Sequence, residues 1–257
     1  MAEKVLEIKN LTKKFPDGTV ALNDISVSFE KGDLIAVIGP SGAGKSTFLR
    51  SINRLQEPTF GEILIEGKDI LKTKGSSLRK LRRKVGMVFQ GYNLIKRSSV
   101  LQNVLHGRLG YSSSIKGSLG MFSQQERKRA LEVLIRMGLE EQTLKRADEC
   151  SGGQQQRVGI ARAMMQDPVI LLADEPIASL DPASSARVMN YIKIMSQEQG
   201  ITAIVNLHQV DYAKSFATRI IGIRAGEIMY DGPPHLLSEH IIKDLYQDQY
   251  AEEARAQ

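Results

Sequence analysis

One cysteine, Cys150, is all the chain has. That excludes an internal disulfide and any multi-cysteine metal site, and it suits a reducing cytoplasm. No apolar stretch approaches the roughly 20 residues needed to cross a bilayer. The opening Met1-Ala2-Glu3-Lys4-Val5 lacks the charged-then-apolar layout of a signal peptide. No internal repeat is visible. These absences lead to the expectation of a soluble cytoplasmic protein. What is present is 257 residues of 42% apolar content, enough to bury a full α/β core as one domain with a subdomain. The net charge is +6, densest at Arg79-Lys80-Leu81-Arg82-Arg83-Lys84, which runs directly into the apolar Val85-Gly86-Met87-Val88-Phe89. A solvated helix face before a strand, a nucleic-acid patch and docking near an anionic leaflet all accommodate such a cluster. Charge alone does not choose among them.

The first part of the chain reads as β-rich. Segments 5–8, 25–29 and 62–65 are short and rich in β-branched residues, and Gly18, Gly32, Gly61 and Gly67 punctuate them. Later apolar runs at 169–172, 203–207 (broken only by Asn206) and 220–223 suit buried parallel strands. Helix-like stretches at 183–197 and 212–217 lie between them, so βα crossovers are expected, with ligand sites at the strand carboxyl ends. From about 91 to 149 the pattern is helical with no convincing strand. There, Ser123-Gln124-Gln125-Glu126 forms a capping box for a helix carrying Leu131, Leu134 and Ile135 and ending at Gly138. Residues 111–120 read as a glycine- and serine-rich loop, and the tail from 247 is polar enough to fray.

Three motifs carry the chemistry. Gly39-Pro40-Ser41-Gly42-Ala43-Gly44-Lys45-Ser46-Thr47 follows the apolar run 34–38 and precedes a helix-like segment, the context of a phosphate-binding loop. Glycines let the backbone wrap an anion, the helix N-terminus adds partial positive charge, Lys45 supplies a cation and the Ser46 hydroxyl suits Mg²⁺. The second motif is a buried strand ending in Asp174-Glu175. Asp174 is placed to hold Mg²⁺ through water, and Glu175 to take a proton from an attacking water. The third is Cys150-Ser151-Gly152-Gly153-Gln154, a capping-box helix start whose glycines bare the first-turn amides and make a second anion site. Two such sites in one chain make sense when a second copy, related by a two-fold axis, offers its own to the first copy's γ-phosphate.

Together these residues resemble the nucleotide-binding subunit of an ABC transporter, over nearly the whole chain. The resemblance implies an α/β P-loop NTPase core, with a mixed sheet and an N-terminal antiparallel β subdomain, at about 1–90 and 155–240. A helical subdomain at about 91–154 interrupts it, and 241–257 form a tail. It implies ATP and Mg²⁺ as cofactors. By position, Phe15 resembles the aromatic that stacks on adenine and residues 39–47 the Walker A loop. Gln90 resembles the glutamine that senses Mg²⁺ and the membrane partner. Ser151, Gly152, Gly153 and Gln154 match the signature, Asp174 and Glu175 the Walker B pair, Asp181 of Ser179-Leu180-Asp181 the D-loop, and His208 the switch histidine at the γ-phosphate. Singly each has a plainer reading: Gln90 as a strand cap, Asp181-Pro182 as a helix start, His208 as a surface histidine, Phe15 as core.

The chain departs from the family at Cys150, where leucine is usual. Cys150 either fills that space as a small hydrophobe or, just before a helix N-terminus, carries a lowered thiol pKa. The chain ends before the regulatory domain that sugar-importer subunits carry. Leu94-Ile95-Lys96-Arg97-Ser98-Ser99-Val100-Leu101-Gln102-Asn103-Val104-Leu105-His106-Gly107-Arg108 and Leu207-His208-Gln209-Val210-Asp211-Tyr212 look like phosphonate-importer ATPases. The implied partners are a second copy, separate integral-membrane permease chains and, indirectly, a periplasmic or lipid-anchored solute-binding protein. No nucleic acid is expected. The implied location is peripheral, on the cytoplasmic face of the cell membrane. The alternative is a soluble ABC-type ATPase serving a non-transport complex.

Overall fold

The structure is a computed structural model and describes residues 3–113, 117 and 119–247. Its contacts divide the chain into two compact units, Met1–Thr73 with Ser196–Gln257, and Lys74–Met195.

The first unit opens with β1 (Lys4–Lys14) and β2 (Val20–Glu30), paired antiparallel with Ile8 opposite Val27 and Leu11 opposite Ile25. Leu6, Ile8, Leu11, Ile25 and Phe29 are buried. β3 (Leu34–Ile38) is buried at all five residues, the pattern of a central strand covered on both faces. It feeds α1 (Lys45–Ile52). β4 (Phe60–Ile65) pairs antiparallel with β1, and β5 (Lys68–Asp69) completes a sheet ordered β2-β1-β4-β5. Gly61, expected at a turn, instead sits inside β4, packed against the β1 backbone at Asn10 and Leu11.

The second unit begins with α2 (Gly75–Arg83), whose one buried residue is Leu81. The basic cluster therefore forms a largely solvated helix face ahead of β6 (Val85–Val88). Then come α3 (Val100–Leu105), α4 (Gln124–Arg136) and α5 (Gly152–Met164). Both expected capping boxes are formed, at Ser123 with Glu126 and at Ser151 with Gln154. In α4, Ala130 and Leu134 are buried while Leu131 and Ile135 are exposed. Gly138 follows it at φ +60. Between 91 and 149 the described residues hold no strand beyond an isolated bridge of Ser99 with Arg146. Within the loop 111–120, residues 114–116 and 118 lie outside the described residues. β7 (Ile170–Asp174), fully buried, pairs parallel with β6, and α6 (Pro182–Gln199) follows.

The chain then returns to the first unit through β8 (Thr202–Asn206), α7 (Val210–Phe216) and β9 (Arg219–Arg224). β3 runs parallel between β8 and β9. β10 (Glu227–Gly232) closes antiparallel on β9, giving the order β10-β9-β3-β8 in this unit. α8 (Glu239–Leu245) packs Leu245 on Gly222 of β9. The tail expectation from 247 falls, apart from Gln247, outside the described residues. Among the described residues no helix is long and apolar enough to cross a membrane.

Candidate nucleotide-binding and catalytic residues

The residues singled out in the sequence fall into two sets, one in each unit. In the first unit, β3 delivers the chain to Gly39, whose φ of +147 lies outside the range of other residues. A Cβ there would sit 2.0 Å from the Ile223 carbonyl oxygen. Gly44, at φ +101, caps α1 where a Cβ would meet the Ala21 carbonyl oxygen at 2.2 Å. Glycine is thus required at the root of the loop and at its exit. Between them, Ser41 and Gly42 are exposed while Ala43 is buried. The Ala43 carbonyl accepts from the Gly226 N–H at 3.0 Å, which ties the loop to the β9–β10 turn.

Lys45 is 4% exposed. Its ammonium donates to the carbonyls of Gly39 at 2.7 Å and Pro40 at 2.8 Å. The loop therefore holds its own cation, folded back on the carbonyls at its root. Asn206, at the end of β8, donates to the Ser46 hydroxyl at 3.4 Å. The register pairs Val37 with Asn206, and the Leu207 N–H donates to the Val37 carbonyl, so exposed His208 emerges beside the carboxyl end of β3. That is the rim where ligands sit in open α/β sheets. Thr47 is half-buried, and its carbonyl accepts from the Ser51 hydroxyl. Phe15 is half-buried in the β1–β2 turn, with the Lys13 ammonium 5.1 Å from its ring centre.

One contact in this unit has no trace in local sequence. The Gly39 N–H donates to the Tyr246 hydroxyl at 3.1 Å, so the residue after α8 fastens the root of the glycine loop. The Arg224 guanidinium donates to the Asp244 carbonyl and holds α8 in place.

In the second unit, β7 ends at Asp174, 1% exposed, and Glu175 follows at φ +51, a conformation that costs a non-glycine residue about 1–3 kcal/mol. Strain of that size persists where surrounding contacts fix it. Here Gln90, after β6, donates its side-chain amide to the Glu175 carboxylate at 2.7 Å. The chain after Gln90 is fixed by two residues that the motifs did not reveal. Arg162 of α5 donates to the carbonyls of Tyr92 and Asn93, and burial lowers its pKa from the ordinary arginine value. Asn103 of α3 is fully buried; it accepts from the Ile95 N–H at 2.8 Å and donates to the carbonyls of Ile95 and Ser99 at 3.1 and 3.0 Å. Among the six residues of helix 100–105, Asn103 is polar yet lies between apolar neighbours on the buried side. Gln102 beside it is the other polar residue, so the sequence signal for Asn103 was weak.

At the start of α5, Ser151 accepts from the Gln154 N–H at 3.3 Å, and the Gln154 side-chain carbonyl accepts from the Ser151 N–H at 2.8 Å. Gly152 lies under the Tyr92 hydroxyl and Gly153 against Ser184, both too close for a larger residue without a shift. Asp181 caps α6 by accepting from the Ser184 N–H at 2.9 Å; hydrogen bonds from Ser184 hold its carboxyl below the usual range. Cys150 is buried, its thiol 3.7 Å from the Arg146 carbonyl oxygen. Burial pushes that thiol up rather than down, opposite to the activated-thiol expectation. Desolvation outweighs the lowering effect of the Lys145 charge, and Cys150 packs as a small core residue.

With this geometry in place, comparison with known proteins is direct. The family described as ABC transporter matches residues 22–178. The "Phosphonates import ATP-binding protein PhnC 2" of Halalkalibacterium halodurans is 63% identical over 243 residues, covering 95% of this chain and all of that protein. The "Phosphonates import ATP-binding protein PhnC" of Lactobacillus johnsonii is 50% identical, covering 94% and 95%. Among solved structures, the dimeric ATP-binding cassette MJ0796 bound to ADP and Pi superposes with a TM-score of 0.78 at 36% identity, covering 89% of this chain and 98% of that one. CbiO1 of Clostridium perfringens, part of the ABC transporter complex cbiONQ, gives 0.81 at 29% identity, covering 99% and 98%.

Proposed function

The chain belongs to the ABC transporter family, and from that premise we propose that it is the ATP-hydrolysing subunit of a bacterial importer for phosphonate or a related phosphorus oxyanion. The solute assignment rests on relatives at 63% and 50% identity that are named phosphonates import ATP-binding proteins. The mechanism rests on one bond, Gln90 to Glu175. It ties the carboxylate suited to accept water's proton to the segment that leads toward the expected permease contact.

ATP binding exchanges the two carbonyl partners of Lys45 for β- and γ-phosphate oxygens. The amides of the loop and of α1 hold the remaining phosphate oxygens, and Phe15 offers its ring to adenine. The donors for Mg²⁺ are the Ser46 hydroxyl, the Gln90 carbonyl and the Asp174 carboxylate, all hard oxygen atoms of the kind the ion prefers. Among the described residues no group of three or more His, Cys, Asp and Glu gathers into a cage. That fits an ion held by one carboxylate plus phosphates and water. When bound, Mg²⁺ neutralises phosphate charge. Glu175 takes the proton from the attacking water and His208 donates to the γ-phosphate. Ser151, Gly152, Gly153 and Gln154 face the nucleotide of a second copy turned about a two-fold axis, and Asp181 lies at the interface of the copies.

Residues 91–154 act as a helical subdomain of one cassette whose core comprises 1–90 and 155–240, with 241–257 as its tail. The partners are separate permease chains and, through them, a periplasmic or lipid-anchored binding protein. The site of action is the cytoplasmic face of the cell membrane. Glu175→Gln keeps the hydrogen-bonding shape but removes the base. It is expected to bind ATP normally, lose about 10²–10⁴-fold in turnover and accumulate as an ATP-bound dimer in light scattering. Hydrolysis within threefold of the parent removes Glu175 from this role.

A further inference from the structure

The last turn of α8 is seated on the sheet of its own unit at the point where β3 ends. Three consecutive residues make the seat. The Asp244 carbonyl accepts from the Arg224 guanidinium at the end of β9. Leu245, 1% exposed, packs on Gly222, where a Cβ would stand 3.1 Å from the leucine Cδ2. Gly222 pairs in register with Ile38, the last residue of β3. Half-buried Tyr246 then accepts from the N–H of Gly39, the next residue along, at 3.1 Å.

Gly39 is itself buried, and it lies past the ladder: the register with β8 ends at Val37 and that with β9 at Ile38. A buried donor without an acceptor is costly, and the Tyr246 hydroxyl meets that need. Glycine is also the residue whose backbone turns most freely, so where its carbonyl points depends on what holds its amide. That carbonyl receives the Lys45 ammonium at 2.7 Å. The contacts therefore run from the Tyr246 hydroxyl through Gly39 to the cation that serves the phosphates. We propose that Tyr246 is a positioning residue for ATP, its hydroxyl fixing the root of the glycine loop, and with it Lys45, in the geometry that receives phosphate. A loop that keeps this geometry only part of the time binds in proportion to that part. The amides of such a loop cradle phosphates that ATP and ADP share. Tyr246 thus raises affinity for both nucleotides alike, and it does so before the chemical step. The inference rests on residues 39–47 being the ATP site.

The test compares the full chain with Tyr246→Phe, which keeps the ring and removes only the acceptor. Dissociation constants for ADP and for a non-hydrolysable ATP analogue are measured by calorimetry, and KM and kcat for ATP in vesicles that contain the permease. Exchange of the Gly39 amide is followed by NMR, and thermal unfolding alongside. Both dissociation constants and KM are expected to rise about tenfold, with kcat within twofold and exchange at Gly39 accelerated. Nucleotide affinities within twofold of the parent, whatever happens to thermal stability, make Tyr246 merely structural and overturn the inference. A loss confined to the ATP analogue, or a fall in kcat at constant KM, places the effect at the γ-phosphate or the chemistry and overturns it as well. A parent chain that binds neither nucleotide overturns the ATP-site reading itself, and the inference with it.

Discussion

Replacing Gly39 with alanine asks the most of the glycine loop. The new Cβ would lie 2.0 Å from the Ile223 carbonyl oxygen, and real Cβ contacts essentially never fall below 3.0 Å, so loop and β9 must part by about 1 Å. Three costs accompany that movement. The φ of +147 disfavours any side chain, by about 1–3 kcal/mol. The Gly39 N–H leaves the Tyr246 hydroxyl, which costs about 1–3 kcal/mol for a buried donor. The Gly39 carbonyl shifts under the Lys45 ammonium, a charged hydrogen bond of about 1.5–3 kcal/mol. Together these reach about 4–9 kcal/mol, a large part of the roughly 5–15 kcal/mol that holds a domain folded. Any part relieved by moving the loop reappears as lost ATP affinity, because the moved groups are those that meet the phosphates. Urea unfolding and ATP titration are therefore read together. We expect a lowered midpoint and at least a hundredfold weaker ATP binding. A midpoint and an affinity both within twofold of the parent would refute the reasoning.

Asn103→Leu removes the bonds that hold residues 95–99 and leaves the Ile95 N–H without its acceptor. A loss of about 2–4 kcal/mol in urea unfolding is expected, and a loss under 0.5 kcal/mol contradicts the assignment. His106 titrates below its ordinary value because of burial and the nearby Arg162 charge, so the fold prefers its neutral form. The unfolded chain takes up that proton first: stability is fully present above about pH 6.5 and falls as the pH drops through the unfolded value toward the lower folded one. His106→Gln is expected to flatten stability measured between pH 7 and pH 5, and an unchanged slope there assigns the dependence to another group.

How much of this was legible in the sequence depends on separation along the chain. The glycine loop, the acidic end of β7 and both capping boxes are local patterns, and their spacing places them on β3, β7, α4 and α5 directly. The Tyr246 contact joins residues 207 positions apart, and no local pattern encodes it. β10 alternates half-buried and exposed residues without an apolar run, so its pairing with β9 leaves little periodic trace. Asn206 was visible as a break in an apolar run, yet only the β3–β8 register shows why a polar residue belongs there, beside Ser46. Cys150 left two readings open in the sequence, a small hydrophobe and an activated thiol, and burial, which sequence does not display, selects the first.

The central claim is that this ATPase drives import of a phosphorus oxyanion. The direct measurement is ATP hydrolysis in membrane vesicles containing this chain and its permease, with and without a phosphonate-loaded binding protein. Stimulation by the loaded protein, absent in Glu175→Gln vesicles, is the predicted result. Hydrolysis indifferent to both the permease and the loaded protein would contradict the account and leave only a free-standing ATPase.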